Sequence, residues 1–167
     1  MNYIENDHEY INIVQSILYN NDFNEIKKIE HHGVSRYDHS IRVSYYSYKL
    51  AKILKLNYKN VARGGLLHDY FLSSCDRNLK ERFLSIFIHP KKAVLNAKET
   101  FGINEMEENI IGSHMFPINL SIPCYAESWL VNFVDKVVGC LEFTQKFSYR
   151  FSYAINLLLI FLINSGK

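Results

Sequence analysis

The scarcest residues constrain this chain most. Seven glycines and three prolines are spread through 167 positions, too few turn formers for an all-β sandwich or barrel, whose strands must reverse every ten residues or so. Long helices joined by short connections satisfy such a composition, and the expected class is all-α. Apolar side chains make up 48% of the sequence, enough at this length to bury a substantial core without disulfides or structural metals. There is no internal repeat, low-complexity tract or Pro/Ser/Gly linker, so residues 1–167 are expected to form a single domain.

Helical periodicity predicts helices over 9–19, 23–28, 37–56, 59–68, 79–88, 90–101, 105–114, 125–143 and 147–163. In the third of these, Val43, Tyr46, Leu50 and Leu54 recur on one stripe, which is expected to face the core. Pro90 suits the first turn of its helix, with His89 just ahead. The longest apolar run, 154–163, contains Asn156 and is about half of the ~20 residues a membrane span requires. Residues 147–163 are therefore expected to be a packed helix or an oligomer contact, leaving a homo-oligomer open and membrane insertion excluded.

Nineteen basic against seventeen acidic residues leave a net charge of +2, so a long polynucleotide is not an expected partner. Cys75, Cys124 and Cys140 are odd in number and form no Cys-x-x-Cys pair, which excludes a disulfide framework and a thiolate zinc site. They read as reduced thiols, Cys124 and Cys140 serving as small hydrophobes. The first residues lack the basic start and apolar run of a signal peptide. A cytoplasmic location is expected.

Chemistry concentrates in the histidines and two aspartates. One turn back from Val43 lies His39, at the head of the expected buried stripe. Val61, Gly64, Gly65 and His68 share a face, and the two glycines allow a second helix to approach beside His68, which Asp69 follows directly. Ile110 and His114 share another face. Asp135 lies within the apolar run 130–138, and a carboxylate there costs several kcal/mol to desolvate unless cations or donors surround it. An ion pair with Lys136 is one solution. A metal ion held by inward-pointing imidazoles and carboxylates is another, and a nitrogen and oxygen set without sulfur favours iron or manganese, with zinc, nickel, cobalt or magnesium also compatible. His8 and His31 read as ordinary core histidines, and His32 as either a loop residue or a group supporting a ligand.

Three segments then come together: RYDHSIRV at 36–43, GGLLHD at 64–69 and VNFVDK at 131–136. This combination resembles the HD-domain superfamily of metal-dependent phosphohydrolases over residues 31–142, with 1–30 and 147–167 as flanking helices. The resemblance implies a helical bundle in which His39, His68, Asp69 and Asp135 hold a first divalent cation. His89 and His114 fall between the doublet and the last Asp, as in two-metal members, and the ligand order is similar to that of the symmetrical dinucleoside tetraphosphate hydrolases. In the two-metal reading Asp69 bridges the ions and, with His68, forms the catalytic doublet. A water activated by the cations would attack phosphorus in a small phosphorylated substrate, most naturally a nucleotide. Arg36 and Arg42, flanking His39, and Lys92, just after His89, are the expected phosphate contacts. Tyr70-Phe71-Leu72 after the doublet departs from the Ala-Lys or Gly-Lys of better-known members, so no particular substrate is inherited. A di-iron oxygenase and a non-catalytic nucleotide sensor fit the same ligands.

Overall fold

The structure is a computed structural model that describes residues 2–31, 34–72 and 79–165. Helices α1 (Asn2–Glu5), α2 (His8–Leu18) and α3 (Asn21–Asn24) lead through a 3-10 turn at Glu25–Lys28 to two very short strands, β1 (Glu30–His31) and β2 (Val34–Ser35). Then follow α4 (Arg36–Ile53), α5 (Tyr58–Leu67), α6 (Leu79–Phe101), α7 (Glu105–Ser113) and α8 (Ala126–Ser165). The β1–β2 pair is antiparallel, with Glu30 opposite Ser35 and His31 opposite Val34. Apart from it the regular elements among the described residues are all helical, as the composition predicts.

Short polar residues set most helix starts. Ser35, Asn57 and Asn104 each accept a backbone N–H of the first turn of α4, α5 and α7, and Asn104 with Glu107 completes a reciprocal capping box. Lys55 adopts a left-handed φ of 57° just past α4, reversing the chain within a few residues so that α5 folds back on α4. Glu127 Oε1 accepts the N–H of Asn57 at 2.9 Å, which fastens the start of α8 to the start of α5.

The α4–α5 pairing explains a departure from the expected stripe. Val43 is buried, but Tyr46, Leu50 and Leu54 are 40%, 38% and 57% exposed. What α4 buries against its neighbour is a row of small residues, Ser40, Ser44, Ser47 and Ala51. A Cβ added to Gly65 would lie 3.1 Å from Cα of Ser44, so the backbones approach too closely for large side chains between them. Ser44 is satisfied there: its hydroxyl accepts from Tyr10 at 2.8 Å and donates to the Ala62 carbonyl at 2.6 Å. Below this contact, Val43, Val61, Ile110, Val131, Val134 and Val138 form a second core cluster that joins α4, α5, α7 and α8.

Other expectations change too. Residues 79–101 form one helix with Pro90 inside it; proline's fixed φ is helical, so the lost N–H and the crowding of the carbonyl four residues back weaken the helix locally without ending it. Residues 126–165 are likewise continuous, since no glycine or proline at 144–146 separates the two expected helices. His8 is exposed at the start of α2, and Cys124 and Cys140 are exposed. The readings of His32 and Cys75, and the side-chain packing of His31 and of 147–163, fall outside the described residues. Among the described residues no helix is long and apolar enough to cross a membrane.

Candidate metal centre

Helix ends supply half of the site. His68 is the residue that caps α5, with Asp69 next, and His114 caps α7. Both imidazoles turn back on their own helix, Nδ1 of His68 donating to the Gly65 carbonyl at 2.8 Å and Nδ1 of His114 to the Ile111 carbonyl at 2.7 Å. Such carbonyls are left without helical partners at a C-terminus. Each bond gives Nδ1 a proton to donate and directs Nε2 inward.

His39 comes from the second turn of α4, His89 from within α6 and Asp135 from α8. Two groups result, His39 with His68 and Asp135, and Asp69 with His89 and His114, each with its donor atoms within 4.8 Å of one another. In the first, Oδ1 of Asp135 lies 3.0 Å from Nε2 of His39 and 3.5 Å from Nε2 of His68. In the second, Oδ1 of Asp69 lies 3.5 Å from Nε2 of His89 and 3.7 Å from Nε2 of His114, and the two imidazole Nε2 atoms are 3.0 Å apart. The other Asp69 oxygen, Oδ2, is 3.9 Å from Nε2 of His68. Asp69 thus belongs to the second group and turns its other oxygen toward the first.

The electrostatics follow from burial opposed by close charges. Burial disfavours an imidazolium at His39, yet hydrogen bonds to Asp135 and Glu142 push its pKa up to about 10. Burial would likewise raise the Asp135 pKa, but a hydrogen bond from His39 and the positive charge of nearby His68 hold it well below the usual carboxylate range. His114 is pushed down to about 3 by burial, with the neighbouring His68 charge adding to it. Nε2 of His68 is buried with no hydrogen-bond partner among the described residues. A buried ring nitrogen without a partner, two further Nε2 atoms converging at 3.0 Å, and carboxylates between them are what divalent cations would satisfy. The donor set fits two such ions.

A model of the HD domain matches residues 36–138, well over half of the chain. The chain belongs to the HD-domain family. Comparison with curated proteins and with solved structures gave no significant match. Within the HD domain, the six residues singled out in the sequence as ligands all lie in the two groups, and a cavity of about 580 Å³ opens onto His39, Asp69, His89, His114 and Asp135.

The expected phosphate contacts fare differently. Arg36 lines this cavity, but Nη1 donates to the Phe71 carbonyl at 2.5 Å and the guanidinium stacks 3.8 Å from the Phe71 ring centroid. Phe71 stacks in turn on His89, with centroids 5.2 Å apart, so Arg36 braces the second ligand group through an aromatic ring. Arg42 does not face the cavity; Nη1 donates to Oε1 of Glu142 at 2.8 Å. Lys92 is exposed one turn beyond His89 and is not part of the cavity wall. A second cation lines it, Lys136, whose pKa burial lowers.

Sequence reasoning passed over two residues of α8. Asn132 donates to the carbonyls of Ser113, His114 and Phe116 at 3.2, 2.7 and 2.9 Å, closing the end of α7 that carries His114. Glu142 accepts from Nδ1 of His39 at 2.8 Å. Its position seven residues after Asp135, two helical turns along the same face, was the available signal.

Proposed function

We propose that this HD domain is a metal-dependent phosphohydrolase acting on a small phosphorylated substrate, in the first instance a nucleotide. The observation that carries the reading is the carboxylate of Asp69 set between two buried three-donor groups, at the floor of an open cavity. His39, His68 and Asp135 would hold one divalent cation and His89 and His114 another, with Asp69 shared. When bound, the ions supply Lewis acidity toward phosphoryl oxygens and lower the pKa of a coordinated water toward neutrality.

The chain's own groups supply the rest. Nζ of Lys136 donates to the carbonyls of His114 and Asn132 at 3.0 and 3.3 Å, and an ammonium has three donors. The third N–H is available to a phosphoryl or leaving-group oxygen in the cavity. Phe71, Met115, Ile118 and Phe143 complete the wall, apolar surface against which a base or another flat group packs while its phosphate meets the ions. The volume suits a small ligand, and the net charge of +2 gives no reason to expect a long polynucleotide.

The test is phosphate release from a panel of mono-, di- and cyclic nucleotides and simple aryl phosphates by protein loaded with manganese or iron. Metal-dependent turnover that disappears with Asp69→Ala is the expected result. Metal-replete protein that consumes dioxygen with an organic substrate, or binds nucleotides tightly without turnover, overturns the reading.

A further inference from the structure

His68 and His114 sit at helix ends and use carbonyls from their own helices to fix the Nδ1 proton. His39 is differently placed. It lies in the second turn of α4, where the backbone carbonyls behind it are committed to the helix. A third imidazole in the same centre therefore needs its Nδ1 partner from elsewhere.

That partner is Glu142. Oε2 lies 2.8 Å from Nδ1 of His39, and the other oxygen, Oε1, accepts from Arg42 at 2.8 Å. The side chain is only 3% exposed, whereas an ion pair serving only to tie α4 to α8 has no need to turn one oxygen inward onto an imidazole. A carboxylate can only accept, so Nδ1 of His39 carries a proton toward Glu142, and with an ion bound Nε2 would be left as the ligating atom. Nε2 then faces Asp135 at 3.0 Å. Asp135 and Glu142 are two turns apart, about 10 Å along the helix axis, and α8 holds the ring of His39 between them.

We propose that Glu142, itself held by Arg42, is a positioning residue that sets the tautomer and orientation of His39 as a metal ligand. The proposal rests on the metal-centre reading above. It assigns Arg42 to support of the centre in place of the phosphate contact its spacing from His39 suggests. A carboxylate in this role orients the ring and makes it a more basic ligand, and loss of such a partner typically weakens metal binding about 10–100-fold.

The experiment is calorimetric titration of Mn²⁺ into chelator-stripped, full-length protein, comparing wild type with Glu142→Gln, Glu142→Leu and Arg42→Met. Thermal unfolding of each stripped variant provides the measure of fold. Glu142→Leu is expected to weaken one site about 10–100-fold and leave the other unchanged. Glu142→Gln keeps an acceptor for Nδ1–H and is expected to recover part of the loss, which a role confined to inter-helix packing does not predict. If the leucine variant fails to fold, the glutamine and Arg42 variants carry the comparison, each expected to weaken the same single site. Two wild-type sites with unaltered affinities in the folded variants overturn the role of Glu142 and leave the metal centre standing. A wild type that binds no Mn²⁺ overturns both.

Discussion

Oδ1 of Asp69 lies 3.5 Å from Nε2 of His89, while the other oxygen of the same carboxylate points toward His68. A member of the second ligand group therefore turns its other oxygen toward the first. Asp69→Ala is expected to deplete both ions, and His89→Ala or His114→Ala to lower the metal content by about one equivalent with the helical fold retained. Elemental analysis of purified variants, alongside their circular dichroism, decides this. Wild-type metal content in the single histidine variants would show a one-ion centre.

Removing the ions should also lower stability. An ion present at about a hundred times its dissociation constant adds ~2.7 kcal/mol to the folded state, which for a chain of this size corresponds to about 5–10 °C in the unfolding midpoint. Chelation is expected to shift the midpoint by that amount for each ion, and added Mn²⁺ to restore it. A midpoint unchanged after verified stripping would sever the link between metal loading and folding.

The approach of α5 to its neighbours gives a prediction about packing. A Cβ at Gly64 would lie 2.8 Å from Cγ2 of the fully buried Ile110. Overpacking of this kind typically costs 1–3 kcal/mol and outweighs the ~1 kcal/mol that alanine gains over glycine in a helix. Gly64→Ala should therefore destabilise by up to about 2 kcal/mol in urea unfolding. Gly139→Ala is the control, because a Cβ there meets nothing within 4 Å, and it should be neutral or slightly stabilising.

Asp7 links pH to the N-terminal helices. Oδ1 accepts the N–H of Tyr10 at 3.1 Å to cap α2, and Oδ2 lies 3.3 Å from Nζ of Lys49. Burial works to raise its pKa, but the capping bond and the lysine bring it below its ordinary 3.8. A depressed carboxylate contributes stability that is complete above the unfolded value and is lost as pH falls through the folded one. Asp7→Ala should cost ~1 kcal/mol at neutral pH, and the gap to wild type should narrow below about pH 4. A gap that stays constant down to pH 2 would show that the charge plays no part.

Residue types and spacing carried much of this in advance. The all-α class followed from the scarcity of turn formers, and His39, the His68-Asp69 doublet and Asp135 stood out because polar groups on apolar helix faces need partners. The face that α4 buries was misjudged because hydrophobicity ranks Leu50 above Ser44, whereas the close backbone approach at Gly65 admits only the smaller side chain. The continuity of α6 through Pro90 was missed because local propensity favours a start there. Arg42 was read by its distance from His39 along the chain. Its actual partner, Glu142, is 100 residues away, and pairings of that kind have no local signature.

The centre joins residues that are remote in the chain, His39 to Asp135 across 96 residues and to Glu142 across 103, while α4 and α5 meet through a turn of a few residues. Closing the long loop carries an entropic cost that the short turn avoids. The α4–α5 hairpin can therefore form early, but His39 gains its two carboxylates only when α8 docks. On the metal-centre reading, capture of an ion at this group would be a late event that seals an assembled bundle, with the arrival of α8 setting its timing.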